Sequence, residues 1–307
     1  MSEKLVTPDL SVLIAGVRFR NPVIAASGTF GYGKEYSGLL DISGLGGICT
    51  KGLTLNPRPG NTGRRIHETP SGLMNSIGLE NPGIPAFIEK ELPELRKLGP
   101  VVIANLSGST LEEYAQGAML LDKADIDMIE LNISCPNVKA GGMAFGLDPE
   151  AAAPVVKAVR AASSKPLMVK LSPNAPDLAA VAKACVYSGA DALSLINTFK
   201  AMAIDIESRK PVFENISAGL SGPAIRPIAL RMVWELCETV SVPVIGMGGI
   251  ASAHDALEFL LAGAIAVQVG SATFAHPPVM NEIITGIADY MKKKGIEKID
   301  QLSIRGK

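Results

Sequence analysis

The chain has 307 residues, 47% of them hydrophobic, and 29 basic side chains against 30 acidic ones. That near-cancellation argues against a grip on nucleic acid or a polybasic membrane patch, and no apolar run is long enough to span a bilayer. The cysteines at 49, 135, 185 and 237 stand far apart with no Cys-x-x-Cys pair. This spacing argues against a disulfide framework, a zinc site or an iron–sulfur cluster held by this chain, and it fits a reducing, cytoplasmic setting. The opening Met1-Ser2-Glu3-Lys4 lacks an apolar h-region, so no secretory leader is expected.

Residues 10–20 alternate enough for a hairpin. Short apolar runs then recur at 22–26, 47–50, 101–104, 128–131, 167–170, 192–196, 242–245 and 264–269. Each reads as a strand buried on both faces, as parallel strands are. Helical patterns follow most of them, at 110–122, 149–162, 177–187, 224–239, 253–261 and 278–294. Pro149 and Pro278 suit first-turn positions, and Gly189 and Gly263 suit helix ends. Eight strand–helix units predict a single α/β domain over residues 1–307, a (β/α)8 TIM barrel whose bottom the hairpin plugs. An open doubly wound sheet is the competing architecture, but no Gly-x-Gly-x-x-Gly opens the first helix. Two long connections, 53–85 and 198–223 (the second running on to 227), are expected as loops over the strand C-termini, where such barrels keep their sites.

The residues at or just after the strand ends are Ser27, Lys51, Asn105, Asn132, Lys170, Asn197, Gly248 and Gly270. An asparagine there is often a turn residue and a lysine often a solvated one. Three asparagines and two lysines on one rim, however, suit a flat heterocycle with N–H and C=O groups and a developing negative charge. The glycine-bearing ends Gly246-Met247-Gly248-Gly249 and Gly270-Ser271 let backbone approach a phosphate, in the place where this barrel usually binds one. Cys135 follows the fourth strand in Asn132-Ile133-Ser134-Cys135-Pro136-Asn137, where Pro136 ends strand pairing. The histidines at 67, 254 and 276 are expected in loops or helix starts. With no His-x-x-x-His or carboxylate cluster, no metal is expected.

Several segments together resemble the class 1 dihydroorotate dehydrogenases, specifically the NAD-linked 1B catalytic subunit. They are Ala26-Ser27-Gly28-Thr29-Phe30-Gly31, Thr50-Lys51-Gly52-Leu53-Thr54, Asn75-Ser76-Ile77-Gly78-Leu79-Glu80-Asn81-Pro82-Gly83, the Asn132 to Asn137 run, Gly141-Gly142-Met143-Ala144-Phe145-Gly146, Asn197-Thr198, Ser221-Gly222-Pro223 and Gly246-Met247-Gly248-Gly249-Ile250. The resemblance implies an FMN-binding barrel that oxidises dihydroorotate to orotate in pyrimidine (UMP) biosynthesis. Carried over residue by residue, Cys135 is the base for the C5 proton. Lys51, Asn75, Ser76, Ile77, Gly78, Leu79, Asn132, Asn197 and Thr198 hold substrate. Ser27, Lys51, Gly52, Asn105, Asn132, Lys170, Ile196, Gly222, Gly248, Gly249, Gly270 and Ser271 line FMN. Many relatives carry Thr where this chain has Ser271, and the hydroxyl is kept.

The 1B resemblance further implies a second subunit with FAD and a [2Fe–2S] cluster, in a heterotetramer that delivers electrons to NAD+. This chain has no dinucleotide fingerprint or cluster ligands of its own. A homodimeric, fumarate-linked class 1A enzyme and a dihydropyrimidine dehydrogenase-like enzyme are the near alternatives. A membrane-linked class 2 enzyme would use serine as base and carry an N-terminal extension. A Schiff-base aldolase with Lys170 as nucleophile and a non-catalytic scaffold barrel are the remote ones.

Overall fold

The computed structural model describes residues 7–134 and 145–305. All eight apolar runs form strands: β3 (Val23–Ala25), β4 (Gly47–Cys49), β7 (Val101–Leu106), β8 (Met128–Asn132), β9 (Leu167–Lys170), β10 (Ala192–Leu195), β15 (Val244–Met247) and β16 (Ala266–Val269). They pair in parallel and in chain order, and the barrel closes where β16 meets β3 with Val267 opposite Val23 and Val269 opposite Ala25. Apart from Val101, every residue of these strands is buried, since helices cover the outside and packed side chains fill the inside. Register sets the rim: Asn105 lies opposite Glu130, Asn132 opposite Lys170, and Met247 opposite Gln268.

The outer helices start where the sequence provides caps. The side chains of Thr110, Asp177 and Ser252 accept hydrogen bonds from the backbone N–H of Glu113, Ala180 and Asp255, satisfying donors that a first turn leaves open. Pro149 takes the first helical position, whereas Pro278 is the N-cap of the helix Val279–Lys294. Among the described residues no helix is long and apolar enough to cross a membrane.

The N-terminal hairpin pairs β1 (Val12–Ile14) with β2 (Val17–Phe19). Phe19 is fully buried against the start of β4, where a Cβ on Gly47 would come within 2.9 Å of its ring. The hairpin therefore closes the barrel end opposite the strand C-termini.

Both long connections differ from expectation, because each contributes strands. The first holds β5 (Ile66–Thr69) and β6 (Gly72–Asn75). The second holds β11 (Phe199–Met202), β12 (Ile204–Asp205), β13 (Lys210–Pro211) and β14 (Ser217–Ser221). Strands β11, β14, β6 and β5 form one antiparallel sheet, with Gly219 opposite Asn75. Met74, Phe213 and Ala218 make a small core beneath it, and burying side chains of that size contributes about 1.5–3 kcal/mol for each large one. His67 accordingly lies in a strand. A further helical stretch, Ile84–Ala86, Phe87–Glu91 and Leu92–Lys97, follows the first connection. Pro85 sits at the start of this stretch, where its missing N–H costs nothing, and Pro93 follows the wider π-helical turn Phe87–Glu91, which accommodates it inside the stretch.

Candidate active site

The strand C-termini and the small antiparallel sheet enclose one cleft. Of the residues expected at the site, Ser27, Lys51, Gly52, Asn75, Ile77, Gly78, Leu79, Asn132, Lys170, Ile196, Asn197, Thr198, Gly222, Gly248, Gly249, Gly270 and Ser271 all line it. Asn105 and Ser76 do not reach its wall. Asn105 lies one layer down, fully buried inside β7. Ser76 is buried behind the wall, its hydroxyl accepting from Asn61 Nδ2 at 3.1 Å and Asn215 Nδ2 at 3.3 Å. Cys135 lies outside the described residues.

The centre of the floor is a residue that the sequence reading passed over. Glu130 stands in mid-β8, fully buried. Its carboxylate accepts from Asn105 Nδ2 at 2.6 Å, Gln268 Nε2 at 2.7 Å, Ser194 Oγ at 3.0 Å and Cys49 Sγ at 3.2 Å. Lys170 Nζ lies 3.8 Å away. Six strands thus converge on one carboxylate. A buried charge is tolerated only when it is paired and hydrogen-bonded, and this one is both. Burial, and after it the charge of Glu130, push the Cys49 thiol well above its ordinary range. Cys49 is therefore a neutral donor.

From Asn105 the network runs outward. Asn132 Nδ2 donates to Asn105 Oδ1 at 3.3 Å, and Asn132 Oδ1 accepts from Ser134 N at 3.1 Å and Ser134 Oγ at 3.0 Å. Asn197 Nδ2 donates to Ser134 Oγ at 2.8 Å. Because Glu130 accepts at one end, each amide has only one orientation that satisfies its neighbours. The residue preceding Cys135 is thereby tied to two side chains of the cleft wall.

At the far end, Gly222, Gly248 and Gly249 have φ of +97°, +121° and +76°. A Cβ on Gly249 would lie 2.7 Å from Gly222 O, 2.8 Å from Arg226 Cβ and 3.0 Å from Arg226 N, so only glycine fits at this corner. Arg226 behind it is paired with Asp255 and, at 2.7 Å, with Glu258. His254, Asp255 and Glu258 do cluster within 4.8 Å, a grouping absent from the sequence expectation. Arg226 already engages both carboxylates, and the group is an ion-pair cluster bracing the glycine corner. At the mouth, Lys51 Nζ lies 3.7 Å from Glu80 Oε1, and Arg65 binds the other oxygen of Glu80.

A flat ring with polar edges over the asparagine–lysine floor, carrying a phosphate toward the glycines, suits this donor set. The Dihydroorotate dehydrogenase family model matches residues 9–291. The chain belongs to the dihydroorotate dehydrogenase family. It is 58% identical over 294 residues to the dihydroorotate dehydrogenase B (NAD(+)) catalytic subunit of Petrotoga mobilis, covering 96% of this chain and 98% of that one. It is 57% identical over 296 residues to the protein of the same name from Geotalea daltonii, and 53% identical over 294 residues to that of Thermoanaerobacter pseudethanolicus, each covering 96% of this chain and 97% of the relative.

Beyond the residues given a site role, Gln268, Met247, Glu80, Leu73 and Phe274 also line the cleft, and of these Glu80 and Met247 fall within the motif segments. Gln268 sits inside an apolar run, and only the period-two alternation of a barrel strand could have pointed it inward.

Proposed function

We propose that this chain, as one FMN-binding barrel domain, oxidises dihydroorotate to orotate in pyrimidine biosynthesis. The observation that carries the reading is the convergence of Lys51, Asn132, Lys170 and Asn197 on a single cleft with the glycine corner at its end. The chain's own groups fit FMN. The glycine corner, which lines the cleft with no side chain over its backbone, suits the phosphate, and Gln268 in the same lining carries a buried acceptor, Oε1, that has no partner among the described residues. Bound FMN would supply the acceptor for the hydride that leaves C6 of the substrate.

The protein's part is to bind, orient and move a proton. Ser27, Gly222, Gly248, Gly249, Gly270 and Ser271 hold the cofactor's phosphate and tail. Lys170 stands where a cation favours negative charge on the ring. Asn75, Asn132, Asn197 and Thr198 offer donors and acceptors to the substrate's amide groups, and Lys51 its cation to the carboxylate. The sheet β11-β14-β6-β5 roofs the cleft and limits water, which strengthens each of these contacts. Cys135 takes the C5 proton; an ordinary thiol, with a pKa of about 8.5, lies near enough to neutrality for that work. Its support is the anchoring of Ser134 to Asn132 and Asn197.

Electrons then leave for NAD+ through a second subunit carrying FAD and a [2Fe–2S] cluster, in a heterotetramer in the cytoplasm. The names of the relatives, each a catalytic subunit of an NAD(+) enzyme, support a partner. The scattered cysteines of this chain support placing the cluster elsewhere. The test of the proton step is Cys135→Ala. The variant should keep FMN while anaerobic reduction by dihydroorotate slows about 10²–10⁴-fold. A near-normal rate would remove Cys135 from the role.

A further inference from the structure

The floor carboxylate and the glutamine beside it have no part in the family motifs, yet their geometry is specific. Gln268 is 1% exposed and lines the cleft, and Glu130 is fully buried beneath it. A glutamine amide can face either way, and its neighbours decide which. Here the neighbour is a carboxylate 2.7 Å from Nε2. Turning the amide over would set two acceptor oxygens against each other in a low-dielectric interior, so the nitrogen stays down. The oxygen is then left without a partner among the described residues. A buried acceptor without a donor costs free energy, and a ligand that brings the donor recovers it.

We propose that Glu130 is a positioning residue that locks Gln268 with Oε1 toward the cleft, where it accepts a ring N–H of the bound cofactor. This rests on the reading that the cleft holds FMN. The oxidised isoalloxazine ring carries one N–H, at N3, so Gln268 has one donor to meet. The same carboxylate holds the Asn105 amide through its nitrogen and thereby directs Asn132. Glu130 thus sets the polarity of the floor without touching the ligand.

The experiment uses the full chain, freed of flavin and titrated with oxidised FMN and with N3-methyl-FMN, following flavin fluorescence. The wild type should bind FMN about tenfold or more tightly than the methylated analogue, the factor expected for leaving a buried acceptor unmet. Glu130→Gln, nearly the same shape, lets the Gln268 amide turn over. It should bind FMN about tenfold more weakly and lose most of the discrimination. Gln268→Met removes the acceptor and should lose it too, while binding N3-methyl-FMN about as the wild type does. A merely structural role for Glu130 would weaken both ligands equally, and that result overturns the proposal. Equal binding of the two flavins by the wild type overturns it as well, whether or not either variant folds. A wild type that takes up neither flavin would overturn the FMN reading itself, and this inference with it.

Discussion

Lys51 Nζ sits 3.7 Å from Glu80 Oε1 at the mouth of the cleft, and Arg65 grips the second oxygen of the same carboxylate. Hydrogen bonding from Arg65, then the charge of Lys51, hold the Glu80 carboxyl below its ordinary value of 4.5. A depressed carboxyl contributes stability that is complete above the ordinary value and lost as pH falls through the lowered one. Glu80→Gln should therefore change stability by less than about 1 kcal/mol at neutral pH, since the pair is half-exposed. The difference from wild type should vanish in melts taken progressively below pH 4.5. Lys51, no longer shared, should bind orotate about threefold more tightly, or ~0.6 kcal/mol. Unchanged or weaker orotate binding in a calorimetric titration would show that Glu80 does not compete for Lys51.

Gly249 has φ +76° and no room for a Cβ between Gly222 O and Arg226 N. Gly249→Ala forces a side chain into left-handed backbone at a cost of roughly 1–2 kcal/mol, and it must also push the glycine corner apart. FMN retention after gel filtration should fall sharply, with dissociation at least about tenfold more favourable. An alanine variant that keeps its full complement of FMN would mean that this corner does not hold the phosphate.

The described cysteines are poor nucleophiles. Burial pushes Cys185 up to about 12 and Cys237 up to about 11, and Cys49 is raised well above its ordinary value. The thiolate is the reactive form. Iodoacetamide at neutral pH should therefore label the native chain at Cys135 first, and orotate should slow that labelling. Peptide mass spectrometry that finds Cys49 or Cys237 modified ahead of Cys135 would contradict this ordering.

The barrel was legible because strands buried on both faces are written as nearly unbroken apolar runs, and β9, Leu-Met-Val-Lys, is such a run ending in a residue that lines the cleft. The roof was not. Strand β5 is Ile-His-Glu-Thr and β14 is Ser-Ala-Gly-Leu-Ser. These are short, polar or glycine-bearing segments: β5 is the edge strand of a tight hairpin with β6, and β14 reaches β6 only across the rest of the barrel, with Gly219 opposite Asn75. Glu130 was hidden for the opposite reason. It interrupts an apolar run by one residue, and its meaning comes from donors on five other strands. The strand-end positions of Lys51, Asn132 and Lys170 could be read from the residues alone. The roles given to Cys135 and to the substrate contacts came through the family resemblance.

One spectrum tests the proposed oxidation most directly. The purified chain should show the visible absorption of oxidised flavin, and anaerobic dihydroorotate should bleach it while dihydrouracil does not. A colourless chain, or a flavin band that dihydroorotate leaves unchanged, would contradict the proposed oxidation at this cleft.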